Sequence, residues 1–199
     1  MLLGTVSQSL FALAYARCAK VMNWPACVAA ATLVFALLTP GLRMLAFGAV
    51  PAFALAIACD AAALRLMPKA TASRSEADIA PLRFDLPLRM LVATGIVLSL
   101  TEVASTLGPH LTGLLSPFPV FATILAVFAH RQGGAEAGID VMRGLLTGLF
   151  AFSAFFVIAA LTLPRTGIGV SLVLSLGAAL AVQALALQAI LRPGRRSLL

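Results

Sequence analysis

The chain has 199 residues, 61% of them hydrophobic and 11% charged, with a mean hydropathy of +1.05. Soluble domains carry roughly a quarter charged residues, so the apolar residues here exceed any core the chain can bury, and lipid must cover the remainder. A formal net charge of +7 raises the question of nucleic acid, but the basic residues are spread over loops and helix ends without a basic face or interleaved aromatics, which excludes a nucleic-acid surface.

The sequence predicts an all-α polytopic transmembrane helix bundle of seven helices. The spans in chain order are Leu3–Ala19, Val21–Thr39, Leu42–Met67, Leu88–Leu107, Leu111–Ala129, Val141–Leu163 and Ile168–Leu191. Most approach the ~20 residues that cross the hydrocarbon of a bilayer. Breakers separate them: Asn23-Trp24-Pro25, Pro40-Gly41, Pro68, Gly108-Pro109, Gly133-Gly134, Pro164 and Pro193-Gly194. The first span is the least apolar. Ala14-Tyr15-Ala16 has the small-x-small form of a signal cleavage site, but no Lys or Arg precedes the apolar stretch and Ser7, Gln8 and Ser9 interrupt it. It therefore reads as a retained helix.

Threading the chain with its N-terminus outside places Arg17, Lys20, Arg65, Lys69, Arg74, Arg83, Arg89, Arg131, Arg143, Arg192, Arg195 and Arg196 on the inner side. Arg43 and Arg165 alone fall outside. Positive residues are retained on the cytoplasmic side, so N-out/C-in is the expected orientation. Tyr15 and Trp24 are expected at the inner interface, where amphipathic rings favour the headgroup level. Residues 68–87, rich in charge and proline, read as a cytoplasmic linker between a three-helix half, 1–67, and a four-helix half, 88–199. An odd number of helices before the linker invites an inverted repeat of the kind found in transporters.

Glu102 sits well inside the fourth predicted span, fourteen residues from its inner end at Leu88. Its neighbours at helical spacing, Gly95, Ser99, Ser105 and Thr106, form a small and polar stripe expected to face the bundle interior. An ionised carboxylate in hydrocarbon costs several kcal/mol unless paired. Arg43, at the outer start of the third span, and His110, in the outer turn, are its candidate partners. Asp60 is the other acid within a span, toward the inner end of the third helix and five residues from Arg65, near enough for a snorkelling contact. Two readings stand for these acids: a ligand- or proton-binding carboxylate on a permeation path, or a structural acid joining helices.

Ser116-Pro117-Phe118-Pro119 opens the fifth span, where Pro119 removes a backbone donor and frees carbonyls that neighbouring helices or water must satisfy. Broken helices of this kind line transporter sites. The sixth span carries Gly144-x-x-x-Gly148, read as a close-packing motif, and the cluster Phe150, Phe152, Phe155 and Phe156. Cys18, Cys27 and Cys59 lack any CxxC spacing and read as packing residues, even with His130 near the same membrane side, so no metal or cofactor is expected. The absence of P-loop, GxGxxG, HExxH and GxSxG patterns points away from an enzyme.

The run Leu111 to Ala122, with Gly113-Leu114, Phe118-Pro119-Val120-Phe121-Ala122 and Ala129-His130, resembles the central motif of GlpM-like small bacterial inner-membrane proteins. The continuation Gly134-Ala135-Glu136-Ala137 and Arg143-Gly144-Leu145-Leu146 is similar as well. The resemblance covers about 88–163 and implies a bacterial cytoplasmic membrane without supplying a catalytic residue; it draws attention to Phe118, Pro119 and His130. The expected function is a small permease or channel-like component with Glu102, Arg43, Ser116 and Pro119 at its site. The alternative is a non-transporting accessory protein of an envelope or polysaccharide-export system. The expected partners are the lipid bilayer and either further copies of the chain or an envelope protein.

Overall fold

The computed structural model describes residues 2–44, 47–68 and 118–191, together with positions 90–91, 94–95 and 98. The described residues are helical throughout their ordered elements: α1 (Leu2–Cys18), α2 (Trp24–Arg43), α3 (Ala49–Leu66) and α4 (Val120–Leu191). Of these, 24–42, 49–66 and the long 120–188 stretch are long and apolar enough to cross a membrane. The expected class, an all-α membrane protein, is what the chain forms. The count of seven separate helices is not reproduced among the described residues, and the predicted fourth span and the linker fall largely outside them.

The long helix α4 is interrupted at two glycines, Gly134 (φ 78°, ψ −171°) and Gly167 (φ 76°, ψ 175°). Both occupy a backbone region open essentially to glycine alone. The chain reverses at each. A Cβ placed on Gly138 would lie 3.2 Å from His130 Cβ, whereas eight residues of straight helix extend about 12 Å. Likewise Thr162 Oγ1 and Ser171 Oγ are 2.7 Å apart across a stretch that would extend about 13 Å if straight. Thus α4 is three helical segments, 120–133, 135–166 and 168–191, folded back on one another. The reversals use single glycines where open turns were expected, so Glu136 and Asp140 lie in a helix, and the helix continues through Pro164 before breaking at Gly167. The middle segment is about 48 Å long, well over the ~30 Å of hydrocarbon. That excess carries Glu136, Asp140 and Arg143 past the apolar layer.

The least apolar helix, α1, is the centre of the bundle and packs against α2, α3 and α4. Contacts between α1 and α2 pair Ser7 with Thr39, and Phe11 and Phe35 both stack edge-on against Phe118; the two helices are antiparallel. Contacts between α1 and α3 pair Ser9 with Asp60 and Arg17 with the Leu66 carbonyl, in a parallel register. Proline at the start of α2 (Pro25) and the extended Asn23 before it set the turn between the first two helices. Small side chains let the backbones approach: Ala12, Ala16, Ala31, Ala52, Ala56, Ala63 and Ala126 are all buried.

Two apolar clusters fill the interior. The larger joins Phe11, Ala12, Tyr15, Phe35, Ala63, Ile139, Met142, Leu146 and Leu149. The smaller joins Leu2, Ala52 and Val157. The last segment, 168–191, joins neither, and Ile168, Leu172, Val173, Leu176, Leu180, Leu185 and Leu187 on it are exposed. A continuous apolar surface of that kind is what lipid covers. Its Ser171 and Ser175 are buried, and Ser171 meets Thr162.

One sequence expectation about packing shifts position. Among the described residues a Cβ added at Gly144 or Gly148 would meet nothing within 4 Å, so Gly144-x-x-x-Gly148 makes no close contact with them. Gly138 is the tight position instead, where a Cβ would sit 3.3 Å from Tyr15 Cε1. Tyr15 is fully buried between the helices, while Trp24, beneath Arg131 at 5.8 Å, is exposed.

Replacing Gly134 or Gly167 by alanine is expected to destabilise the protein by about 1–3 kcal/mol each, the cost of forcing a side chain into a glycine-only conformation. Gly144→Ala, in open space within a regular helix, is expected to stabilise by about 0.5–1 kcal/mol. Thermal unfolding in detergent micelles checks both signs.

Candidate functional site

The chemistry-bearing side chains of the described residues fall at three levels along α1. At the basic end, the C-terminal carbonyls of helices meet guanidinium groups. Arg17 donates from both Nε and Nη2 to the Leu66 carbonyl, at 3.1 and 2.9 Å, and Arg143 Nη2 donates to the Pro68 carbonyl at 2.7 Å. Carbonyls in the last turn of a helix have no partner of their own, and the helix dipole favours a cation there. Lys20 forms an ion pair with Glu136. These contacts gather Arg17, Lys20 and Arg143 at one end of the bundle, with Arg43 and Arg165 on elements that end at the other.

One level deeper lies His130, in the last turn before Gly134. Its Nδ1 is 3.2 Å from the Tyr15 hydroxyl, which is also 3.3 Å from the Ala126 carbonyl. The His130 and Tyr15 rings meet edge to face, with centroids 6.1 Å apart. Gly138 packs directly against both. The geometry is that of a wedge: a phenol fixes the imidazole while a residue without a side chain lets the middle segment of α4 close over them.

The third level is a polar layer in the middle of the bundle. Thr5, Ser7, Ser9, Thr39 and Asp60 are all buried there. Thr39 Oγ1 donates to the Phe35 carbonyl at 2.7 Å and lies 3.0 Å from Ser7 Oγ. Ser9 Oγ lies 2.7 Å from the Thr5 carbonyl and is hydrogen-bonded to Asp60 Oδ1. The other carboxyl oxygen, Asp60 Oδ2, is buried without a hydrogen-bond partner among the described residues. Asp60 stands about 16 Å along α3 from its start and about 9 Å from its end, so its carboxyl is held well within the apolar stretch. It is neither half-buried nor drawn toward Arg65, as its spacing had led us to expect: Asp60 is 0% exposed, while Arg65 is exposed. The reason is that α3 turns its stripe Ala52, Ala56, Asp60, Ala63 inward against α1, where Ser9 is waiting.

The predicted site residues are therefore distributed as follows. Asp60 and His130 both pack against α1 but on different faces and at different levels, one on Ser9 and one on Tyr15. Pro119 is buried at the start of α4, where its carbonyl accepts from Thr123 Oγ1 at 2.8 Å and Thr123 N at 2.9 Å. Beside it, Phe118 reaches the mid-helix rings Phe11 and Phe35 at 5.5 and 5.3 Å. Arg43 lies in the last turn of α2, but its side chain is outside the described residues, as are Glu102, His110 and Ser116. Ser9 and Tyr15, the direct partners of Asp60 and His130, were not singled out from sequence as site residues. The signal for Ser9 was present: Thr5, Ser7, Gln8 and Ser9 are a polar interruption in an otherwise apolar helix, and in a membrane such a group must turn inward. Nothing local marked Tyr15.

No protein-family model, curated protein or solved structure matches this chain.

Ser9→Ala is expected to cost about 1–3 kcal/mol, because it leaves a buried carboxyl oxygen unsatisfied. The cost should shrink markedly in an Asp60→Ala background, giving a coupling energy of about 0.5–3 kcal/mol in a double-mutant cycle. Gly138→Val is expected to displace His130 and Tyr15. As Tyr15 is the only tyrosine, its NMR signal reports that displacement without assignment ambiguity.

Proposed function

We propose that this chain is a small multi-pass permease whose solute path runs beside the central helix α1, with Asp60 as its buried acid. The observation that carries the reading is the Asp60 carboxyl, enclosed in the bundle with no partner for Oδ2 among the described residues. A charged or polar group within the membrane is costly and persists chiefly where ions or solutes pass. The layer around it is built from hydroxyls rather than cations, which favours a site for a small polar solute or an ion over a structural salt bridge. Glu102 and Arg43 remain candidate lining residues on their sequence positions.

For location, we propose the cytoplasmic membrane of a bacterium, N-terminus outside. The twelve-to-two sorting of the basic residues supports that orientation, and the resemblance to GlpM-like proteins over about 88–163 supports the membrane type. A second reading, a non-transporting accessory protein of an envelope or polysaccharide-export system, is favoured by one observation: the Asp60 layer is closed to solvent.

Transient currents on a solid-supported membrane separate the two. Wild-type proteoliposomes challenged with a panel of sugars, amino acids and organic anions are expected to give a solute-dependent current with at least one of them. Asp60→Asn is expected to abolish that current while leaving the elution profile of the protein unchanged. Silence across the panel from folded wild-type protein would favour the accessory role.

A further inference from the structure

Two buried side-chain oxygens among the described residues have no hydrogen-bond partner, Asp60 Oδ2 and Ser153 Oγ. They belong to one layer. On α3, Ala52 lies in the small apolar cluster and Ala63 in the large one, with Asp60 between them on the same buried stripe. On the middle segment of α4, Val157 lies in the small cluster and Leu149 in the large one. Ser153, fully buried, stands one turn from each. On α1, Leu2 lies in the small cluster and Phe11 in the large one, with Thr5 and Ser9 between. Three helices thus bring a carboxyl and three hydroxyls to one level, sealed by apolar side chains above and below.

The hydrogen bonds of this layer carry a proton count. Ser9 Oγ makes contact with two groups, the Thr5 carbonyl at 2.7 Å and Asp60 Oδ1. A serine hydroxyl has one proton to donate, and a carbonyl and an ionised carboxylate can only accept. With Asp60 ionised, one of the two contacts would be lone pair against lone pair. With a proton on Asp60, both close: the carboxyl O–H donates to Ser9 Oγ, and Ser9 donates to the Thr5 carbonyl. The surrounding charges agree. Of the elements packed on α3, α1 directs Arg17 to the Leu66 carbonyl and Lys20 to Glu136, and Tyr15 to His130. On α4, Arg143 is engaged at the Pro68 carbonyl, Asp140 is exposed, and Arg165 lies beyond Val157 toward Gly167. On α3 itself Arg65 is exposed and Cys59 is half-buried. No cation among the described residues lies against Asp60, and a proton on the carboxyl satisfies both contacts of Ser9.

We infer that Asp60 and Ser9 form a proton-binding site at the centre of the bundle, and that the proton is the ion this protein exchanges; the second half rests on the permease reading. When the layer opens to water, the carboxyl proton passes to a water molecule, giving hydronium and an Asp60 carboxylate. The Ser9 hydroxyl then rotates its one proton from the Thr5 carbonyl to the carboxylate. Return of a proton reverses both movements. Ser9 is a positioning residue that satisfies either charge state by a single rotation, and Ser153 adds a hydroxyl at the level where the water must enter.

The test uses the full-length protein in phosphatidylcholine vesicles, with aspartate carboxyls labelled with carbon-13. Infrared spectra at neutral pH are expected to contain a protonated-carboxyl band in the wild type that Asp60→Asn lacks. Ser9→Ala should shift its frequency, because the carboxyl loses its acceptor; that variant also keeps the test open should Asp60→Asn fail to fold. Replacing potassium by sodium at fixed pH should leave the band unchanged. A wild-type spectrum without the band, or a band that sodium removes, overturns the inference, the latter in favour of a metal-cation site. In the same vesicles, a lumenal pH dye is expected to report proton entry down an imposed gradient, lost in Asp60→Asn. The band without the flux would overturn exchange and the permease reading with it. Flux without the band would overturn the proton site alone.

Discussion

In hydrocarbon an unpaired backbone or side-chain polar group costs several kcal/mol, and the arrangement of this protein follows from where that cost falls most heavily. The first helix carries Thr5, Ser7, Gln8 and Ser9 in succession, too many polar groups for one face of a lipid-exposed helix. Placing α1 at the centre resolves it. Thr5 and Ser9 bond backward to carbonyls of their own helix, Ser7 meets Thr39 of α2, and Ser9 meets Asp60 of α3. The helix least suited to lipid thereby becomes the one around which the others assemble, and the apolar helices are left facing outward.

That central position sets the functional geometry. Because α1 and α3 run parallel and in register, Asp60 is carried to Ser9 rather than to Arg65. Because α4 reverses at Gly134, His130 and Gly138 meet at Tyr15. The basic residues at one end act locally on backbone carbonyls, Arg17 on Leu66 at the end of α3 and Arg143 on Pro68 just beyond it. The same charges that bias orientation across a membrane also tie α1 to α3 and α4 to the chain that follows α3. Between that end and the small cluster at the other, the bundle has a polar layer with one acid and no counter-charge among the described residues, and this is the feature on which transport and proton binding both turn.

The sequence-level reading succeeded where the signal was a length or a sum and failed where it was a contact. Three apolar helices before a charged stretch, and a long apolar region near the C-terminus, were legible from hydropathy. So was the tight turn at Asn23-Trp24-Pro25, from its proline. The sixth predicted span was drawn too short, and a turn was placed at Pro164, because a proline suggests a break more loudly than a single glycine three residues on. A helix can carry a proline at a modest cost when neighbours compensate, while a φ of +76° at Gly167 cannot be continued as a helix at all. Gly144-x-x-x-Gly148 and Gly134-x-x-x-Gly138 share one packing pattern, yet among the described residues tight packing falls at Gly138; what makes it tight is the His130 and Tyr15 side chains brought against it by the fold.

Composition alone determined that this chain is a helical membrane protein, since that depends on residue counts and on transfer free energies that need no partner. The sequence also marked Asp60 as an acid that had to be accounted for. The tertiary structure alone decided what accounts for it. A buried carboxyl is satisfied by whichever donor the register of two helices brings within reach, and register depends on how Ala52, Ala56 and Ala63 seat against α1 rather than on anything local to Asp60. The pairing of Asp60 with Ser9, fifty-one residues away, is for that reason a property of the packed bundle.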